Sequence, residues 1–140
     1  MLTRRDALGF FAFALGTSES LFAQQTAPPG VSPVFKHDLP DLTLEGWEVT
    51  VSRVEYAPGR ASNPHRHAGF VLAYVLEGAV VTKISGQEER TYKPGEMFFE
   101  PPGSTHEVSR NASDTQPARL LALIFAKKGE QLTTPVRDEK

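Results

Sequence analysis

Cysteine is absent from this chain of 140 residues. Disulfide bonds, thiolate metal ligands and cysteine nucleophiles are therefore all excluded. Any metal that the chain binds must be held by histidine, carboxylate or water. That donor set suits Fe(II), Mn(II), Zn(II), Ni(II) or Cu(II).

A strong charge of one sign is also lacking, because 15 basic residues stand against 17 acidic ones and the formal net charge is −2. There is no basic field to attract nucleic acid or an anionic membrane surface, so neither is an expected partner. Hydrophobic residues make up 39% of the chain, which is enough for one modest core. We expect a single domain whose partner is a small molecule.

The apolar run near the N-terminus is too short to span a membrane, since residues 7–16 provide only ten positions. It follows a Thr-Arg-Arg sequence at residues 3–5 and precedes Leu-Phe-Ala at residues 21–23, which has a small residue before the cut. We predict that residues 1–23 are a cleaved export signal that resembles the twin-arginine type. The alternatives are an uncleaved helical anchor and an ordinary secretory signal. Export implies a bacterial periplasmic protein with no stable membrane insertion after cleavage.

Composition divides the rest of the chain into three parts. Residues 24–41 hold four prolines and few large apolar side chains, which predicts an extended arm. Residues 42–126 contain short apolar segments separated by turn signals, with no convincing helical period. Residues 127–140 form a polar tail. Short strands at this spacing predict an all-β sandwich or barrel.

Three of the four histidines lie in two turn-rich segments. His65 and His67 form a His-x-His pair, and side chains two residues apart on a strand share one face. His106 follows 39 residues after His67, and a third histidine from another strand would complete a metal site with open positions. The fourth, His37, lies outside both segments and is expected to be an ordinary exposed residue.

The turns around these histidines resemble the two cupin motifs. Residues 59–78 contain a glycine, five residues, His-x-His and a closing glycine; residues 95–106 contain a glycine, five residues, Pro-x-Gly, two residues and a histidine. Asn111 falls one position later than the usual asparagine, so it carries no weight. The resemblance implies a small antiparallel β-barrel or jelly roll, the double-stranded β-helix. It also implies a homodimer and one divalent metal ion, with Fe(II) favoured, held by His65, His67 and His106.

The chain departs from the cupin pattern at Val71, where the family usually has a glutamate ligand. On a regular strand Val71 would face the same way as His65 and His67, but valine cannot ligate a metal. The expected site is therefore a three-histidine one, whose neutral ligands leave a divalent ion its full charge and favour an anionic, chelating substrate. Glu100, before Pro101, is either an acid/base group near the pocket or a solvated strand end. Catalytic residues remain otherwise unassigned.

Two classes of function follow from this pattern. The first is a metal-dependent enzyme on a small oxygenated organic substrate, either of the dioxygenase type or a redox-neutral lyase or isomerase. The second is a non-catalytic module that binds a small molecule with or without a metal. The missing carboxylate keeps the second class open.

Overall fold

The computed structural model describes residues 30–136, so the predicted export signal lies outside the described residues. The chain divides into two units, with the boundary after Ser32. Of the first unit only residues 30–32 are described, and they form no strand or helix. Among residues 30–136 no helix has the length and hydropathy needed to cross a membrane.

The second unit is built from ten strands, as described between residues 33 and 136. They are β1 (Trp47–Tyr56), β2 (Ala61–Ser62), β3 (His65–His67), β4 (Phe70–Glu77), β5 (Val80–Ile84), β6 (Arg90–Tyr92), β7 (Met97–Glu100), β8 (Thr105–Asn111), β9 (Ala118–Lys127) and β10 (Thr133–Pro135). The prediction of an all-β fold is confirmed.

The strands form two antiparallel sheets. One has the order β1-β9-β4-β7, and the other has the order β10-β3-β8-β5-β6, with β2 also paired to β8. The buried core contains apolar side chains from β1, β4, β7 and β9 of the first sheet, joined by Val80 of β5 from the second. The core therefore lies where the two sheets face each other, as in the predicted antiparallel jelly roll.

The predicted polar tail contributes a strand to the second sheet. Strand β10 pairs with β3, so that Thr133 lies opposite His67 and Pro135 lies opposite His65. The sequence does not predict this strand, because its three exposed residues show no alternation of apolar and polar side chains. The pairing covers one edge of the His-x-His strand and fixes its register.

Glycines at the predicted turns adopt the backbone conformation that the turn argument requires. Gly59 and Gly95, the first residues of the two motifs, have φ angles of 69° and 88°. These values lie in the left-handed region, where a side chain is costly. The two motifs can therefore turn sharply into the strands that carry the histidines.

Candidate metal centre

The three predicted histidines meet at one place on the second sheet. His65 and His67 project from the same face of β3, and His106 of β8 lies directly opposite His65 in the strand pairing. One ring nitrogen from each histidine lies within 4.8 Å of the others. Directly opposed residues of antiparallel strands share a face, so the local period and the strand register together assemble the cluster.

Backbone carbonyl groups fix the two rings on β3. Nδ1 of His65 donates to the carbonyl of Asn63 at 2.8 Å, and Nδ1 of His67 lies 3.1 Å from the carbonyl of Leu132. Because a carbonyl oxygen only accepts, both rings carry their proton on Nδ1 and keep a free lone pair on Nε2. This is the arrangement that orients a histidine for metal binding through Nε2.

His106 has the opposite ring orientation and is buried. Its Nε2 lies 2.5 Å from Oγ1 of Thr82, and its Nδ1 lies 3.3 Å from Oε1 of Glu100. With Nε2 engaged by Thr82, Nδ1 is the nitrogen that faces the cluster. A metal held here would therefore bind two Nε2 atoms and one Nδ1 atom.

Glu100 lies inside the cluster rather than at a solvated strand end. Glu100 is only 4% exposed. Its Oε1 contacts His106, and its Oε2 lies 3.8 Å from Nε2 of His67. Phe98, two residues earlier on β7, also lines the cavity, so the period of the strand turns both side chains inward. The aromatic residue two positions earlier on the strand is the sequence signal that would have favoured an inward position for Glu100.

Partial burial of His65 favours the form of the ring that binds metals. The pKa of His65 is lowered chiefly by burial and further by His106 and His67, against opposing effects of the Asn63 hydrogen bond and Glu100. A lowered pKa favours the neutral imidazole, which is the ligating form. Within residues 30–136 no lysine or arginine pairs with the Glu100 carboxylate. Three nitrogen donors and a buried carboxylate fit a divalent cation.

A cavity of about 380 Å³ adjoins these residues. Most of its wall is apolar, and the side chains involved are Val54, Ala73, Phe98, Leu120, Ala122 and Ile124. A separate group of hydroxyls also lines it: the Tyr56 hydroxyl lies 2.7 Å from Oγ of Ser109 and 3.0 Å from Oγ of Ser62. The cavity has the size and mixed lining of a small-molecule site.

Val71 is buried in the core and does not lie on the strand of the two histidines. Residues 68 and 69 separate β3 from β4, and the two strands belong to different sheets. The even spacing from His67 to Val71 therefore does not determine a common face, because period two holds only within one strand. On β4, Val71 lies directly opposite Glu100 of β7.

Arg66 and Glu107, which alternate with the histidines along β3 and β8, point away from the site. Arg66 donates to Oγ1 of Thr105 at 2.9 Å, and Glu107 forms a half-exposed ion pair with Lys83 at 2.7 Å. His37 is exposed, bonds the Asp38 carbonyl and packs against another aromatic ring, outside the histidine cluster. These residues add no donor to the candidate metal centre.

Asn111, which falls one position later than the usual asparagine of the motif, is a structural residue. Its Nδ2 lies 3.2, 3.2 and 2.7 Å from the carbonyls of Tyr56, Ala57 and Gln116, and its Oδ1 accepts from the amide of Ser113 at 2.9 Å. The buried amide thereby joins the end of β1 to the loop after β8. It positions the loops and does not enter the cavity.

Comparison with known proteins identifies related sequences and folds. A family model described as the cupin domain matches residues 52–124. The cupin-domain-containing oxidoreductase srdB of Neurospora crassa is 37% identical over 77 residues, which cover 55% of this chain and 38% of the relative. Germin-like protein subfamily 2 member 1 of Arabidopsis thaliana is 31% identical over 120 residues, which cover 76% of this chain and 53% of the relative. The chain spans about half or less of the length of these curated relatives.

Among solved structures, the DMSP lyase DddQ of Ruegeria pomeroyi superposes with a TM-score of 0.56 at 22% identity, over 66% of this chain and 45% of that one. Oxalate decarboxylase of Bacillus subtilis superposes with a TM-score of 0.52 at 20% identity, over 63% and 24% of the two chains. At this identity the likeness shows a common fold and nothing further. The fold, the sequence match and the histidine positions are mutually consistent.

Proposed function

The chain belongs to the cupin family, and from that premise we propose that it is a metal-dependent enzyme on a small, largely apolar organic molecule that carries an oxygen donor. One observation carries the proposal. Three histidines and a buried carboxylate line the same cavity of about 380 Å³ whose remaining wall is mostly apolar. Such a pocket binds the body of an organic molecule and brings its oxygen group to the metal site.

His65, His67 and His106 would hold one divalent ion. We favour Fe(II), with Mn(II), Zn(II), Ni(II) and Cu(II) as alternatives that the same donors accept. When bound, the ion would act as a Lewis acid on a substrate oxygen or provide a coordination position for O₂. The donor set excludes a cysteine-rich structural zinc site, since the chain has no cysteine.

The side chains of the cavity would orient the substrate. Val54, Leu120 and Ile124 present an apolar surface that excludes water from the bound molecule. The hydroxyl of Tyr56, within hydrogen-bonding distance of Ser62 and Ser109, is available to a second polar group of the substrate. The substrate is therefore expected to be largely apolar with at least one oxygen function.

For the reaction class we propose oxygen-dependent oxidation of the dioxygenase type, with a redox-neutral lyase or isomerase reaction as the alternative. The name of the Neurospora crassa relative, an oxidoreductase, supports the first. The likeness to a lyase and a decarboxylase is one of fold and does not choose between them.

Metal analysis and oxygen uptake test the proposal together. Purified protein, loaded with Fe(II) under anaerobic conditions, should retain one metal ion per chain and consume O₂ with a β-dicarbonyl, catechol or flavonol substrate. His106→Ala should lose both properties, whereas His37→Ala, which changes the exposed fourth histidine, should keep them. Metal binding without turnover under aerobic or anaerobic conditions would identify a binding module instead. A wild-type protein that retains no metal would refute the proposal.

We also propose that the protein is exported to the bacterial periplasm. The support is the arginine pair, the short apolar run and the small residue at position 23. Expression in a bacterium, followed by fractionation and intact-mass measurement, should give a periplasmic protein that begins at Gln24. Replacing Arg4 and Arg5 together with lysine should retain the precursor in the cytoplasm if the twin-arginine route is used. Export unaffected by this change would indicate the ordinary secretory route.

A homodimer through the outer face of the first sheet is a further part of the proposal. Val49 and Val51 of the edge strand β1 are 50% and 57% exposed on the face opposite the cavity. Exposed apolar sheet surface of this kind is stabilised when it is covered by another chain. Light scattering should give twice the chain mass for wild type and the single mass for Val51→Lys. Val34→Lys, at a valine outside the strands that is 68% exposed, should remain dimeric.

A further inference from the structure

We infer that Glu100 is a fourth protein ligand of the metal, and that β7 supplies through it the carboxylate that β4 lacks at Val71. The inference rests on the proposed metal site and assigns one more of its ligands. It changes the expected donor set from three nitrogens to three nitrogens and one oxygen.

The strand register brings Glu100 to the inner face beside Val71. The two residues are directly opposed in the antiparallel pairing of β4 and β7, so their side chains emerge on the same face at adjacent positions. Both are buried, with 0% of Val71 and 4% of Glu100 exposed. The carboxylate of Glu100 therefore lies on the neighbouring strand, directly beside the position where the cupin pattern has its glutamate.

The contacts of the carboxylate are with the histidine nitrogens that face the cluster. Oε1 lies 3.3 Å from Nδ1 of His106, and Oε2 lies 3.8 Å from Nε2 of His67. The same two nitrogens are those left free when Thr82 and the Leu132 carbonyl engage the opposite side of each ring. The oxygen and nitrogen donors thus converge on one point, as a shared cation requires.

The burial of the Glu100 carboxylate also favours a bound cation. A carboxylate removed from water is costly unless a cation or several hydrogen-bond donors compensate it. Lysine and arginine do not pair with Glu100 anywhere in residues 30–136. Its two ring neighbours are neutral when they act as metal ligands. A divalent cation bound among these groups would supply the missing positive charge.

A fourth ligand alters the substrate that the site accepts. Three neutral imidazoles and one carboxylate reduce the net charge of the site from +2 to +1, and an octahedral ion then keeps two open positions. A monoanionic chelate, or one substrate oxygen beside O₂, fills two positions. The expectation of a strongly anion-selecting three-histidine site is replaced by a site for singly charged or neutral oxygen donors.

The test compares Glu100→Gln with Glu107→Gln, which makes the same change one residue from His106 at a side chain that faces Lys83 and solvent. Co(II) is the probe, because its affinity can be measured by competition with a chelator and its visible absorption reports the ligand set. We expect Glu100→Gln to bind Co(II) at least about tenfold more weakly, with an altered absorption spectrum. Glu107→Gln should match wild type in both.

Folding is controlled separately. Metal-free Glu100→Gln should melt at or above the temperature of metal-free wild type, because the change removes a buried charge. Glu100→Asp, which keeps a carboxylate on a shorter stem, should bind Co(II) more tightly than Glu100→Gln. If Glu100→Gln keeps the wild-type affinity and spectrum, Glu100 is not a ligand although the three-histidine site stands. If wild type itself binds no Co(II), the proposed metal site fails and the inference fails with it.

Discussion

The hydroxyl of Thr82 on β5 fixes the ring of His106 on β8, with Oγ1 and Nε2 2.5 Å apart. Both residues are buried, at 3% and 4% exposure. A buried polar contact of this kind has no water to replace it, so it holds the ring in one orientation. The third histidine of the cluster is therefore positioned by a side chain. The two on β3 contact backbone carbonyls, and His67 also lies 3.1 Å from Oγ1 of Thr133.

Replacing Thr82 with valine should weaken the metal site without removing a ligand. The substitution keeps the shape of the side chain and deletes the oxygen that engages Nε2 of His106. We expect metal affinity to fall about tenfold to a hundredfold and the unfolding free energy to fall by about 1 kcal/mol. Chelator competition and thermal melting measure the two effects.

Two variants serve as controls for this change. Thr82→Ser keeps the hydroxyl and should keep most of the affinity, and Thr91→Val makes the same change at an exposed position on β6. If Thr82→Val binds metal as tightly as wild type, the hydroxyl does not orient the ring.

We expect the stability of the protein to depend on the side-chain amide donor of Asn111. Asn111→Asp places a carboxylate oxygen against carbonyls of Tyr56, Ala57 and Gln116, where acceptors meet acceptors in a buried site. We expect a destabilisation of about 3 kcal/mol or more. Denaturant unfolding measures it, with Gln87→Glu as the same chemical change at an exposed turn residue. Equal stability of the two variants would show that the amide contributes no essential hydrogen bonds.

The sequence predicted those parts of the site that depend on local geometry. His65 and His67 share a face because they lie two apart on one strand, and the glycines of the two motifs have the positive φ angles that their turns require. The strands themselves were recognisable from short apolar segments between turn signals. These properties depend on a few consecutive residues, so they can be predicted from a single sequence.

The features of the site that the sequence does not predict depend on pairing between distant strands. Counting by two from His67 to Val71 crosses a bend and a change of sheet, so it gives no information about the face of Val71. The position of Glu100 opposite Val71, and of Thr133 opposite His67, depends on registers that no local pattern encodes. On β1 valine alternates with polar residues, yet Val49 and Val51 face outward and Ser52 faces the cavity.

Tyr56 links the two sheets through the cavity wall. Its hydroxyl contacts Ser109 of β8 and Ser62 of β2, both in the second sheet, whereas Tyr56 itself ends β1 of the first. Tyr56→Phe should lower the unfolding free energy by about 1–2 kcal/mol, because the buried Ser109 hydroxyl loses a partner. Metal affinity should not change, since the hydroxyl does not contact the histidines. A parallel loss of metal in this variant would mean that the hydroxyl group supports the metal centre.

Gly78 and Gly86 form a matched pair of positions. They can separate the effect of backbone conformation on stability from the effect of a steric clash. Their φ angles, 70° and 78°, are nearly equal, but a Cβ at Gly78 would lie 2.4 Å from the carbonyl oxygen of Pro117, whereas at Gly86 it would meet nothing within 4 Å. Gly86→Ala should lower the unfolding free energy by about 1–2 kcal/mol, because the methyl group is disfavoured in the left-handed conformation. Gly78→Ala should lower the unfolding free energy by about 1–3 kcal/mol more than Gly86→Ala, because the backbone must move to make room for the methyl group.

Denaturant midpoints of the two alanine variants give this difference directly, since both lose the same conformational freedom in the unfolded chain. Equal stabilities would show that the loop before β9 moves away from residue 78 at little cost. A larger loss at Gly78 would show that the glycine closing the first motif is required by close packing of β4 against the start of β9, and not by the turn alone.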